Sequence, residues 1–166
     1  RLQKMVQPFV LSRLKKEVPT DLPDKLEENK YATLEGEQQK LYDAHVKKLK
    51  MMLEKETEES FKKAKIQVLS ELTRLRQICC EPSLIYEDYE SGSSKMEMCM
   101  ELVENAISSG NKILLFSQFT SMLDQIAARF KKEGISYFLL TGATSKEKRM
   151  EMVEKFNTDD TSVFCI

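Results

Sequence analysis

Apolar positions follow two different rhythms along this chain. Up to about residue 110 the spacing is helical. Leu41, His45, Leu49 and Leu53 recur every four positions, and Phe61, Val68, Leu72, Leu75 and Cys79 stripe a second helix. Between them the charged run Glu54-Lys55-Glu56-Thr57-Glu58-Glu59 reads as a solvated helix end or turn. Ser94 with Glu97 makes an S-x-x-E capping box. It opens a third helix with Met96, Cys99, Val103 and Ala106 inward, which Gly110-Asn111 stops. Upstream, Pro8 suits the first turn of a short helix, Val18 and Pro19 mark a boundary, and residues 30–34 are expected to form one short strand.

Beyond residue 110 the rhythm shortens. Ile113-Leu114-Leu115-Phe116 is a continuous apolar run, as in a strand buried on both faces. A helix follows with Met122, Leu123, Ile126 and Phe130 inward and Gly134 as its stop. Residues 137–140 form a second strand. Thr144 with Glu147 then makes a T-x-x-E box opening a helix with Met150, Val153 and Phe156 inward, and a third strand begins at Val163. The fold class is therefore α/β: a partial parallel sheet in βαβαβ order, built from two right-handed crossovers and preceded by a mainly helical segment.

Composition narrows the picture. The 166 residues are 41% hydrophobic and 32% charged, which suits a folded chain with a real core. A net charge of −1 and a pI near 6.0 carry no global nucleic-acid signature, so any such contact must be local. No apolar run approaches the roughly 20 residues that span a bilayer. The chain opens without an initiator Met and stops in an apolar run at Ile166, and it is expected to be a piece of something longer. Cys79, Cys80, Cys99 and Cys165 lack C-x-x-C spacing, and the single histidine, His45, lies far from them in sequence. Buried, reduced thiols are expected rather than a metal centre.

Candidate chemistry falls where strands end. In an open parallel sheet, ligands meet the loops leaving the carboxyl ends of the strands. Ser117-Gln118-Phe119-Thr120 and Thr141-Gly142-Ala143-Thr144 are such loops, polar and leading into helix N-termini, where free amides and the helix dipole favour phosphate. Neither holds a Cys–His pair, a carboxylate pair or a metal cluster, so holding a phosphate suits them better than bond-making; a plain structural cap is the alternative. There is no G-x-x-x-x-G-K-[ST] loop and no Asp-Glu pair after a strand to hold magnesium. Glu54, Glu56, Glu58 and Glu59 lie between Lys47, Lys48 and Lys50 on one side and Lys62, Lys63 and Lys65 on the other, and both groups read as solvated faces. Lys146, Lys148 and Arg149 lie beside the second loop.

Several blocks carry a family resemblance. The stretch from Lys112 through Ser117-Gln118-Phe119-Thr120 to Asp124 resembles motif IV of the SWI/SNF-type helicase-like ATPases. Leu140-Thr141-Gly142-Ala143-Thr144, continuing through Arg149 to Asn157, resembles the next block. Leu75-Arg76-Gln77-Ile78-Cys79-Cys80-Glu81-Pro82 is similar to the Leu-Arg-Gln-x-Cys-x-His-Pro signature. Pro8 to Val18 with Leu22-Pro23-Asp24-Lys25 resembles the segment entering the second motor lobe, and Gln38 and Tyr42 fit the Gln…Tyr pattern of the next helix. Family order is kept throughout. Ser12 stands where Arg is usual before Arg13, and Glu81 where His is usual before Pro82.

The resemblance implies the second RecA-like lobe of a DNA translocase, here without the first lobe that carries the phosphate loop. It divides the chain into a segment entering the lobe (1–35), a helical insertion or brace (36–92) and an α/β core (93–166). It implies ATP and Mg2+ as cofactors of the whole protein, with neither held by this part alone, which is expected to be inactive. Double-stranded DNA, the first lobe and a DNA-bound protein target are the implied partners, in an intracellular setting of bacterial cytoplasm or eukaryotic nucleus. Ser117, Gln118, Thr141, Gly142 and Thr144, with Arg13, Lys15 and Lys16, would contact the DNA backbone. The competing reading is a helical interaction module carrying a small α/β domain and no role on DNA.

Overall fold

The computed structural model describes residues 9–10, 25–54 and 58–166, without the side chains of 58–64. Two compact units divide at Tyr31 and Ala32. In the first, residues 25–31 lie exposed without regular structure. Pro8, Arg13, Lys15, Lys16, Val18 and Pro19 lie outside the described residues, as does the side chain of Phe61.

The second unit runs through α1 (Gly36–Glu54), α2 (Glu58–Cys80), a 3-10 turn (Pro82–Leu84), α3 (Ser94–Ser108), β1 (Ile113–Leu115), α4 (Thr120–Glu133), β2 (Tyr137–Leu139), α5 (Lys146–Thr158) and β3 (Val163–Cys165). The expected strand at 30–34 is absent. With no neighbouring strand to take its amides and carbonyls, that stretch stays irregular.

The sheet is parallel in the order β1-β3-β2, with Val163 opposite both Ile113 and Tyr137 and Cys165 opposite both Leu115 and Leu139. The chain steps across the sheet one way from β1 to β2 and back from β2 to β3. Crossovers of one hand then put α4 and α5 on opposite faces. On one face Met122, Leu123, Ile126 and Phe130 of α4 and Met96, Met100 and Val103 of α3 close over Val163 and Cys165. Burying such side chains contributes roughly 2 kcal/mol apiece. Gly134 ends α4 at φ 73° and ψ 20°, its amide donating to the Phe130 carbonyl; a side chain there would be strained.

On the other face Met152 and Phe156 of α5 pack on Phe164, with Phe138 beside it. Two expectations fail here. Leu114 and Phe116 are 56% and 68% exposed, because α5 covers β2 and β3 and leaves the outer face of edge strand β1 open. Met150 and Val153 also face solvent, and Met152 takes the inward place. The core sets the phase of this helix, whose cap is Ser145, accepting from the Lys148 amide at 3.3 Å, and not Thr144. Likewise Ser93 caps α3 in place of Ser94, accepting from the Met96 amide at 3.3 Å. That phase brings Met100 into the core and leaves Cys99 half-buried.

α1 and α2 pack together, with Val68, Leu75 and the wholly buried Ile78 inward; Leu53 and Leu72 of the expected stripes remain exposed. Two polar groups do what a purely apolar stripe would not. Gln38, 2% exposed, donates to the Ile78 carbonyl at 2.8 Å and accepts from the Ser94 amide at 3.3 Å, joining α1, α2 and α3. Glu71, 4% exposed, accepts from Lys48 at 2.6 Å and from His45 Nδ1 and Arg74 at 3.0 Å each. The other His45 nitrogen meets the Tyr86 hydroxyl at 2.6 Å, so this cluster ties both helices to the segment after the 3-10 turn. Glu81 caps that turn, its side chain accepting from the Ser83 amide at 3.4 Å.

Candidate functional site

Because all three strands are parallel, the turns following β1 and β2 leave the same end of the sheet. They straddle the end of β3, two strand spacings or roughly 10 Å apart. Ser117 and Gln118 are thereby brought to one end with Thr141, Gly142 and Thr144. This is the crevice position where open α/β sheets meet their ligands.

The second turn is arranged to present donors. The Thr144 amide donates to the Thr141 carbonyl at 3.1 Å, and the Thr144 hydroxyl accepts from the Thr141 amide at 3.1 Å, leaving its own hydrogen to donate. Arg149, half-buried rather than solvated, reaches back from α5. Its Nε donates to the Thr144 carbonyl at 2.9 Å and its Nη2 to the Thr141 carbonyl at 3.0 Å. Both of those carbonyls are thereby taken, while the amides of the exposed residues Gly142 and Ala143 pair with nothing among the described residues and are free to donate. A groove of about 520 Å³ runs beside it between β2 and α5, with Thr141, Thr144, Ser145, Lys148 and Lys155 on its walls. Glu151 also lines this groove and pairs with Lys155 at 2.7 Å.

The first turn is held differently. The Ser117 amide donates to the Ile166 carbonyl at 3.1 Å, and the Ser117 hydroxyl lies 3.3 Å from both the amide and the carbonyl of Phe119. Phe119 caps α4 with no side-chain hydrogen bond. Gln118 is exposed, and its side-chain carbonyl accepts from the guanidinium of Arg76, near the end of α2. That guanidinium also lies 5.9 Å from the centre of the Phe119 ring.

In the sequence Arg149 stands beside the second loop with Lys146 and Lys148, and Arg76 within a signature, but neither pattern names the partner each side chain takes. The spacing of five and eight residues from Thr144 and Thr141 was the available signal for Arg149; for Arg76, 42 residues from Gln118, there was none.

Other chemistries find little support. Burial pushes the Cys165 thiol up to about 11, and burial likewise raises Cys79 and Cys99, so all three stay protonated at neutral pH. No three His, Cys, Asp or Glu side chains converge among the described residues. No described helix is long and apolar enough to cross a membrane.

Residues 1–84 match the SNF2-related domain, and residues 94–166 the helicase conserved C-terminal domain. The yeast Saccharomyces cerevisiae nuclear protein STH1/NPS1 is 32% identical over 99% of this chain and 13% of its own length. The solved Sulfolobus solfataricus SWI2/SNF2 ATPase C-terminal domain superposes with a TM-score of 0.77 at 33% identity, covering 86% of this chain and 63% of that one. The ATPase core from the same organism, solved in complex with dsDNA, gives 0.76 at 33% identity over 99% of this chain and 36% of that one. Across the curated relatives compared, this chain spans only 10% to 19% of their length. By its two domain matches and by the fold of its sheet, the chain belongs to the SNF2-related family of SWI/SNF-type helicase-like ATPases and carries the RecA-like C-terminal lobe.

Proposed function

We propose that this chain supplies the DNA-backbone grip of an ATP-dependent motor that tracks along duplex DNA, and that alone it does not hydrolyse ATP. The carrying observation is the pair of donor-rich turns at one end of the parallel sheet, with the carbonyls of the second drawn inward by Arg149. Hydroxyls of Ser117 and Thr144, the Gln118 side chain, and the amides of the Thr141-Gly142-Ala143 turn would meet phosphate oxygens. Such contacts fix position without reading sequence, and they weaken with salt through counterion release. The likeness to an ATPase core solved with dsDNA supports this assignment. Arg13, Lys15 and Lys16 are proposed as further backbone contacts from the segment entering the lobe.

The whole protein would use ATP and Mg2+. The described residues do not fit that pair, having neither a converging carboxylate set nor a phosphate-cradling G-x-x-x-x-G-K-[ST] loop. The first motor lobe and a DNA-bound protein are the proposed partners, in an intracellular setting like that of the relative named a nuclear protein. Residues 36–92 would brace residues 93–166, the gripping core.

A Ser117→Glu, Thr141→Glu double variant puts a carboxylate on each turn. It is expected to lose most duplex binding at low salt while keeping the parent's circular dichroism; parent-like binding by a folded variant counts against the two turns. In a phosphate-release assay with saturating duplex, the chain alone is expected to give no turnover above background, and sustained release would refute its inactivity.

A further inference from the structure

We propose that Arg76, projected from the helical segment, is itself a phosphate-contacting residue of the turn after β1, so that the grip on DNA extends beyond the α/β core. This rests on the reading of that turn as a backbone contact. Four arginines fall among the described residues, and three are committed. Arg74 pairs with Glu71 at 3.0 Å, Arg129 with Glu133 and Glu97, and Arg149 with the carbonyls of Thr141 and Thr144. Arg76 meets no carboxylate among the described residues. Its one hydrogen-bond partner among the described residues is the neutral side chain of Gln118, and its plane is steadied by the Phe119 ring.

A guanidinium offers five N–H donors in a rigid fork, and one amide oxygen leaves most of them free. Arg76 is exposed, so those donors and the full charge stay available beside Ser117 and Gln118. Its position is also fixed from behind. Gln38 holds the Ile78 carbonyl at 2.8 Å and Ser93 the Cys80 carbonyl at 2.6 Å, pinning the end of α2 one turn beyond Arg76. A fork held in register next to a polar turn matches the bidentate geometry of a phosphate.

The test is duplex binding by fluorescence anisotropy across a series of salt concentrations, for the chain and its Arg76→Gln and Arg76→Lys variants. Arg76→Gln keeps a donor for Gln118 and removes the charge. It should weaken binding roughly tenfold on any sequence and reduce the slope of log affinity against log salt by about one. Arg76→Lys should retain the slope with a smaller loss. An unchanged slope in Arg76→Gln, with the Ser117→Glu, Thr141→Glu variant still failing to bind, would overturn the role of Arg76 and leave the turns standing. A lowered melting temperature with an unchanged slope would reduce Arg76 to a structural tie and overturn it equally. Parent-like binding by the double variant would remove the reading of the turns, and this inference with it.

Discussion

The turn after β2 carries its own brace within nine residues: Thr141, Thr144 and Arg149 close a ring of hydrogen bonds that reaches no farther than the next helix. The turn after β1 borrows its brace from Arg76 of α2, 42 residues away, whose helix end is in turn set by Gln38 of α1. The two turns share an end of the sheet and a chemistry, yet one is locally determined and the other depends on the packing of the helical segment. Damage to α1 or α2 should therefore reach the first turn and spare the second.

Three changes would break or sharpen that contrast. The largest effect is expected from Arg149→Ala, which strips two carbonyls of a charged donor in a half-buried setting. It should cost about 2–3 kcal/mol in urea unfolding and speed amide exchange at Thr141 and Thr144, whose amides are bonded within the turn, while the Ser117 and Phe119 amides keep their protection. Gln38→Ala comes next, at about 1–2 kcal/mol, since it leaves the Ile78 carbonyl and Ser94 amide without their partner. Its exchange signature should be the reverse, with the first turn loosened and the second unchanged.

The smallest effect involves acid. Burial alone would raise the Glu71 carboxyl, but hydrogen bonds from Lys48 and His45 and the charges of Lys48 and Arg74 outweigh it, holding Glu71 below the ordinary glutamate value. A carboxylate depressed in the folded state stabilises fully above its unfolded value, and that contribution drains away as the pH falls through the lowered one. Lys48 and Arg74 are about half exposed, so the amount is of order 1 kcal/mol or less. The urea midpoint of the parent should fall more steeply below the ordinary glutamate range than that of Glu71→Gln. Equal slopes would remove Glu71 from the account.

Much of the α/β core was legible because its signals are local. Four-residue apolar runs separated by amphipathic stretches admit few arrangements besides parallel strands with crossovers, and Gly134 announced its own left-handed turn. The same locality placed Ser117, Gln118, Thr141, Gly142 and Thr144 at strand ends. What escaped depends on partners distant in sequence. An apolar run cannot say which of its faces a helix will cover, so Leu114 and Phe116 read like Val163 and Phe164 although only the latter pair is buried. Tandem capping residues, Ser93-Ser94 and Thr144-Ser145, leave the helix phase one residue uncertain until the core selects Met100 and Met152. Gln38 and Glu71 look like solvated helix positions, and only partners 23 to 56 residues away make them interior.

The order of the strands has a consequence for assembly. Among the described residues β1 and β2 are not neighbours, and each pairs only with β3. Residues 163–165 supply the strand to which both flanks bond, and that strand comes last of the three along the chain. The sheet is thus completed from its middle by the last strand of the three, like an arch awaiting its keystone. A lesion at Val163 or Cys165 should unmake both flanks together.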